Sequence, residues 1–291
     1  MSDSQRNLQD SSNLPTGLPS RGYLDTTVVA NALLRSDETG RKALEAIQRL
    51  SYSEMPEYAI KEFKAGPLRG WIWCHNKFNE THSFADTLSA INAISATLHR
   101  NFAASGRQAL EQAAQADKAA FAESLGLQGQ QSDIRLDRAL ADRYRFYLRR
   151  RITQAWNRRR TLASEVSMPL TCFVEGVLKV DGAGRLSFDR FSCPDDSSCG
   201  VLNELSRRRA DVGQLMETIK AQPQKSENDK RHKALRHVFR TPKKPFSDSM
   251  CRGLGDAVFV IMAPRDSVIL TTNIKDFLPL ARALNKVAAE P

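Results

Sequence analysis

Four carboxylates in this chain stand where a strand ends or a helix opens: Asp25 in YLDTT, Glu62 in EYAIKEF, Asp256 in GLGDAV and Asp276 in TTNIKDF. Converging carboxylates repel one another and lose hydration, so such a cluster persists only if it is protonated or bridged by cations. Hard divalent ions such as Mg²⁺ or Mn²⁺ take oxygen donors of this kind together with waters and phosphate oxygens. An ion held there can deprotonate water and steady the leaving oxygen of a phosphodiester. Taken singly, each acid also has a plainer reading. Asp25 before Thr-Thr suits a helix N-cap. Glu62 could pair with Lys61 or Lys64, while Asp256 and Asp276 could cap the helices that follow them.

The elements around these acids are α/β in pattern. Gly22 to Leu24 reads as a short strand running into Asp25, and TTVVANALL and ETGRKALEAIQRL carry helical spacing. SYSEMP reads as a second strand or loop, EYAIKEFKA as a helix stopped by Gly66-Pro67. At the other end, CRGLGDAVFVIMA is helix-like, SVILTT a buried strand, and NIKDFLPLARAL a loop into a final helix. Strands alternating with helices imply a parallel sheet, and sites in such sheets form at the carboxyl ends of the strands.

The order YLDTTVVANAL, EYAIKEFKAG, LGDAVFVIMA, SVILTTNIKDF resembles the PIN (PilT N-terminus) domain, across about 21–75 and 245–291. That resemblance implies a three-layer α/β fold with a central parallel sheet and a Mg²⁺- or Mn²⁺-dependent endoribonuclease, as in the toxins of toxin–antitoxin pairs. It implies Asp25 as the acid closing the first strand, Glu62 as the helix acid, and Asp256 as the acid opening the penultimate helix. The fourth position falls on Asn273, which coordinates or orients water without adding charge; Asp276, three residues on, supplies a carboxylate nearby. Thr26 and Thr272 are placed to hydrogen-bond a ligand or a carboxylate. The partners implied are RNA and an inhibitor or antitoxin protein; separately, the Ala-rich helices could form a docking surface for an inhibitor or a second copy of the chain. A non-catalytic RNA-binding or scaffold protein is the alternative, with Asn273 as its sign.

Between those two parts lies a long basic segment. The expected organisation is a polar lead at 1–20, a first part of the α/β domain at 21–78, a mainly helical insertion at 79–244 and a second part at 245–291. Residues 79–244 hold 28 Lys and Arg against 19 Asp and Glu, which is nearly all of the net charge of +10. Excess charge of this size favours a polyanionic partner. DRYRFYLRRRITQAWNRRR interleaves Arg145, Arg149, Arg150, Arg151, Arg158, Arg159 and Arg160 with Tyr144, Phe146, Tyr147 and Trp156. Arginine forks suit phosphates and aromatic rings stack on unpaired bases, although Leu136, Leu140, Tyr144, Leu148, Ile152 and Trp156 also form a four-spaced row that suits a buried stripe. KRHKALRHVFRTPKKP brings Lys230, Arg231, Lys233, Arg236, Arg240, Lys243 and Lys244 up to the second part, where they could flank the acids.

The Ala-rich stretch from about 79 reads as two helices broken near Gly106, TCFVEGVLKVDGAGRLSFDRF as a hairpin turning at GAGR, and QPQKSENDKRHKA as polar and mobile. His232 and His237 are read as solvated on an exposed helix. Cysteines 74, 172, 193, 199 and 251 form no CxxC and are expected as free thiols. No apolar run approaches the roughly 18 residues of a membrane span, and the polar N-terminus has no signal-like core, so a cytoplasmic protein is expected.

Overall fold

The computed structural model describes residues 20–95, 100–116, 132–170, 172–189, 199–221, 226–241 and 245–291. The polar lead up to residue 19 lies outside them. Its frame is a five-stranded, wholly parallel sheet in the order β3-β2-β1-β6-β7. The central strand β1 (Arg21–Leu24) is flanked by β2 (Tyr52–Pro56) and β6 (Ser267–Leu270); β7 (Val287–Ala289) closes one edge and β3 (Glu165–Ser167) the other. Tyr23 and Leu24 of β1 and all four residues of β6 are buried, the run of apolar side chains expected of a strand covered on both faces. The chain builds outward from β1 to β2 and β3, then returns to lay down β6 and β7 on the other side. The gap between β1 and β6 is therefore the topological switch point of the sheet.

Helix α1 (Thr26–Leu34) follows β1 directly and buries Val28, Val29, Leu33 and Leu34. After α2 (Glu38–Gln48) and β2, helix α3 (Glu57–Phe63) places Tyr58, Ile60 and Phe63 in the core. Gly66-Pro67 does not end it. The residues Lys64–Leu68 form a π-helical turn that runs on into α4 (Arg69–Thr81). A wide turn absorbs the proline, which has no N–H to donate, and burial of Leu68 and Trp71 just beyond it favours continuation.

The central segment is less separate than composition suggested. Residue 78 lies inside α4, and strand β3, from within 79–244, pairs with β2 in the register Glu54↔Glu165, Met55↔Val166, Pro56↔Ser167. Helices α5 (Phe84–Ser95), α6 (Arg100–Ala116) and α7 (Ser132–Arg158) pack on α4, and all share one continuous core with the sheet. Gly106 lies inside α6 rather than between helices; a Cβ there would stand 3.6 Å from Ile91 and 3.8 Å from Trp73, so it marks a close helix contact. The four-spaced row of α7 is core: Leu140, Tyr144, Leu148, Ile152 and Trp156 are buried, with Ala155 filling the stripe. The hairpin is present as β4 (Lys179–Val180) against β5 (Leu186–Ser187).

Helices α8 (Gly200–Arg207) and α9 (Arg209–Ala221) precede α10 (Ser226–Arg240). The latter covers much of the stretch that composition marked as mobile. Its polar sequence hides a narrow apolar stripe, Ala234, Leu235 and Val238, which is fully buried. His237 is buried too, beside Thr241 and the ring of Phe246, and is not a solvated side chain. Helices α11 (Asp248–Leu254) and α12 (Asp256–Met262) lead to β6, and α13 (Ile274–Ala283) to β7. No helix among the described residues is long and apolar enough to cross a membrane.

Candidate functional site

The carboxyl ends of β1 and β6 meet at the switch point, and the acids named from sequence gather there. Asp25 continues β1 by donating its backbone N–H to the Leu270 carbonyl at 3.0 Å. Its side chain is 2% exposed and caps α1, accepting from the Thr27 N–H at 3.3 Å and the Thr27 hydroxyl at 2.6 Å. A third donor comes from 246 residues away: the Thr271 hydroxyl, at 2.9 Å. Cap and site residue are thus the same group. Burial still raises the Asp25 carboxyl above the ordinary carboxylate range, the hydroxyl bonds opposing it.

Glu62, one turn after Tyr58 on α3, accepts from the Thr26 hydroxyl at 2.8 Å. Its carboxyl is pushed up to about 7, first by burial and further by the charges of Asp25 and Asp256, against the Thr26 and Tyr58 hydroxyls that favour the ionised form. The three acids sense one another electrostatically. On the far side, Asn273 Nδ2 donates to Asp256 at 3.3 Å and to Asp276 at 3.0 Å, so a neutral amide bridges two carboxylates. Asp256 opens α12, where the helix dipole favours an anion, and its Oδ2 also receives Arg231 Nη2 at 3.2 Å.

Asp25, Glu62, Asp256, Asn273 and Asp276 therefore share one end of the sheet. Two supporting groups were not singled out from sequence, and a third, Arg231, belongs to the basic run expected to flank the acids. Thr271, not Thr272, reaches Asp25 by its hydroxyl, while the Thr272 N–H donates to the Thr27 hydroxyl at 3.1 Å. Tyr58 braces the helices, its hydroxyl donating to the Cys251 carbonyl at 3.0 Å. The available signal was the Thr-Thr pair that follows both strands. Arg231 was visible only as one member of a basic run.

Of the basic run 145–160, Arg145, Arg151, Arg159 and Arg160 make contacts within the protein. Arg151 donates to the Leu33 and Arg35 carbonyls at 3.3 and 2.9 Å, at the end of α1 remote from Asp25. Arg145 pairs with Asp142 and Asn79. Arg159 lies 3.8 Å above the Trp156 ring and pairs with Glu175, which Arg160 also holds while reaching Glu57. Arg149, Arg150 and Arg158 are exposed. Arg149 and Arg159 line an open cleft of about 380 Å³ with Trp156 and Val177. Lys243 and Lys244 lie outside the described residues. Cys74, Cys172, Cys199 and Cys251 are free thiols, as expected, and Cys193 lies outside the described residues.

Among the described residues no three His, Cys, Asp or Glu side chains draw together closely enough to hold a metal ion. The donor set nonetheless has the chemistry of a hard-cation site: carboxylate oxygens, an amide that can present oxygen after a flip, and no sulfur or imidazole. Its raised acids, Asp25 and Glu62, owe their shift chiefly to burial. Compared with known proteins, the chain matches no family model, no curated protein and no solved structure.

Proposed function

We propose that this protein is a PIN-like ribonuclease dependent on Mg²⁺ or Mn²⁺, hydrolysing RNA phosphodiesters and serving as a toxin or defence effector held in check by an inhibitor. What carries the reading is that Asp25, Glu62 and Asp256 lie at the same end of the sheet, where burial first, and then the charges of Asp25 and Asp256, push Glu62 up to about 7. Asp25, Glu62 and Asp256 would hold the ion, with Asp276 beside them. The chemistry such an ion supplies is activation of a water and stabilisation of the leaving oxygen.

The chain's own side chains do the rest. Thr27 and Thr271 fix the Asp25 carboxylate, and Thr26 fixes Glu62. The buried setting of Asp25 keeps bulk water off that flank.

The second reading, an RNA-binding scaffold without activity, draws on Asn273 and Arg231, which between them occupy Asp256. Calorimetric titration with Mn²⁺ and cleavage of a single-stranded RNA separate the two. Binding that needs Asp25 and Asp256, and cleavage lost in Asp25→Asn and in EDTA, support the nuclease. Cleavage that persists in excess EDTA would sink it.

A further inference from the structure

One cation in the acidic site comes from outside the two ends of the chain. Arg231 sits on α10, in the basic central segment, and its Nη2 is the guanidinium nitrogen that reaches Asp256. The residue is 9% exposed, yet its Nε is buried without a hydrogen-bond partner. Its position is built by close backbone packing. Gly253 on α11 faces the Lys230 backbone, where a Cβ would stand in ordinary contact, 3.4 Å from the carbonyl oxygen. Gly255, at φ +45°, then turns the chain under the guanidinium, whose Nη2 would lie 3.9 Å from a Cβ there.

A counter-ion for Asp256 alone does not account for this placement. Asp256 Oδ2 already accepts from Asn273. A dehydrated guanidinium held by Asp256 through Nη2 is costly unless further acceptors reach its fork, and an anionic oxygen entering the site is such an acceptor. The planar fork of arginine matches phosphate oxygens through two donors at once.

We propose that Arg231 grips the substrate, taking a non-bridging oxygen of the RNA phosphodiester through its Nη nitrogens, with Asp256 holding the side chain in place beforehand. This rests on the ribonuclease reading. It gives the central segment a direct part in the site.

The test uses the full chain and a fluorescent single-stranded oligoribonucleotide. Binding is measured by anisotropy over a salt series, with cleavage silenced by Asp25→Asn. Adding Arg231→Gln should weaken binding about tenfold and flatten the slope of log K against log salt by about 0.7, one phosphate contact on a single strand. In the cleaving chain, Arg231→Lys should recover the slope but leave kcat at least tenfold down, because a point charge lacks the fork. Urea midpoints establish that each variant is folded; should Arg231→Gln not fold, the kcat of Arg231→Lys decides. Unchanged RNA affinity and slope with tighter Mn²⁺ binding in Arg231→Gln would overturn the proposal and leave Arg231 as a counter-ion. Wild-type protein that cleaves RNA while both variants match it removes the proposal alone. Wild-type protein that neither binds nor cleaves RNA removes the ribonuclease reading with it.

Discussion

Replacing Glu62 by Gln removes a charge from the acidic site and keeps its shape, so stability should respond in a pH-dependent way. The unfolded carboxyl titrates near the ordinary 4.5, the folded one at about 7. Between those values the folded state binds more protons than the unfolded state, so wild-type stability is greatest below 4.5 and is lost as pH rises through 7. At about 1.36 kcal/mol per pKa unit, ionised Glu62 costs about 3 kcal/mol at pH 8 and under about 1 kcal/mol at pH 5. Those are upper figures, because the side chain retains some exposure and water screens it. In EDTA, Glu62→Gln should therefore unfold at higher urea than wild type at pH 8, by the equivalent of about 2–3 kcal/mol, and nearly level with it at pH 5. Urea titrations at four pH values, followed by circular dichroism, measure this. Added Mn²⁺ should close the gap by stabilising wild type alone. A variant less stable than wild type by the same margin at pH 5 and pH 8 would refute the reasoning, since Glu62 would then be a well-paired carboxylate rather than a crowded one.

Three further outcomes are expected. Lys286 is buried, donates to the Val260 and Ile261 carbonyls at 2.7 and 2.9 Å, and is pushed down to about 8 by burial. Lys286→Met should cost about 1–3 kcal/mol by stranding those carbonyls at the end of α12, and wild type should gain on it in urea titrations as pH rises from about 8 to 10.5. Arg151→Ala should destabilise by about 1–2 kcal/mol through the lost carbonyl contacts on α1, whereas Arg150→Ala should leave the urea midpoint unchanged; equal midpoints would refute the structural role. Cys199, lowered to about 6 chiefly by a hydrogen bond from the Cys172 thiol, should be the first of the four described thiols to react with iodoacetamide at pH 7, and Cys74, raised by burial, the last. Peptide mass mapping reads the order.

The site was more legible than the scaffold around it. Asp25, Glu62, Asp256 and Asp276 could be picked out because strand ends and first helical turns are local signals, and a parallel α/β sheet brings such places together. Thr271 was harder, since either threonine of the pair could face Asp25 and only the register of β6 against β1 decides. The roles within the basic run 145–160 were not legible for a physical reason: arginines supply helix-end and ion-pair contacts as readily as phosphate contacts, and sequence does not show what lies opposite. The helix in α10 was obscured because three buried side chains suffice to dock it among many charges. The π-turn at Gly66-Pro67 reversed a local stop signal through burial on both sides of it.

Strand β3 decides what a shortened version of this protein could be. Joining residue 78 to residue 245 would strip the partner from Glu54, Met55 and Pro56, turning β2 into a bare margin open to other chains. It would also discard Arg160 and the Leu170 N–H, both bound to Glu57 at the start of the helix that carries Glu62. The long middle of the polypeptide is thus part of the frame, and trimming it away would yield a sticky fragment instead of a minimal domain.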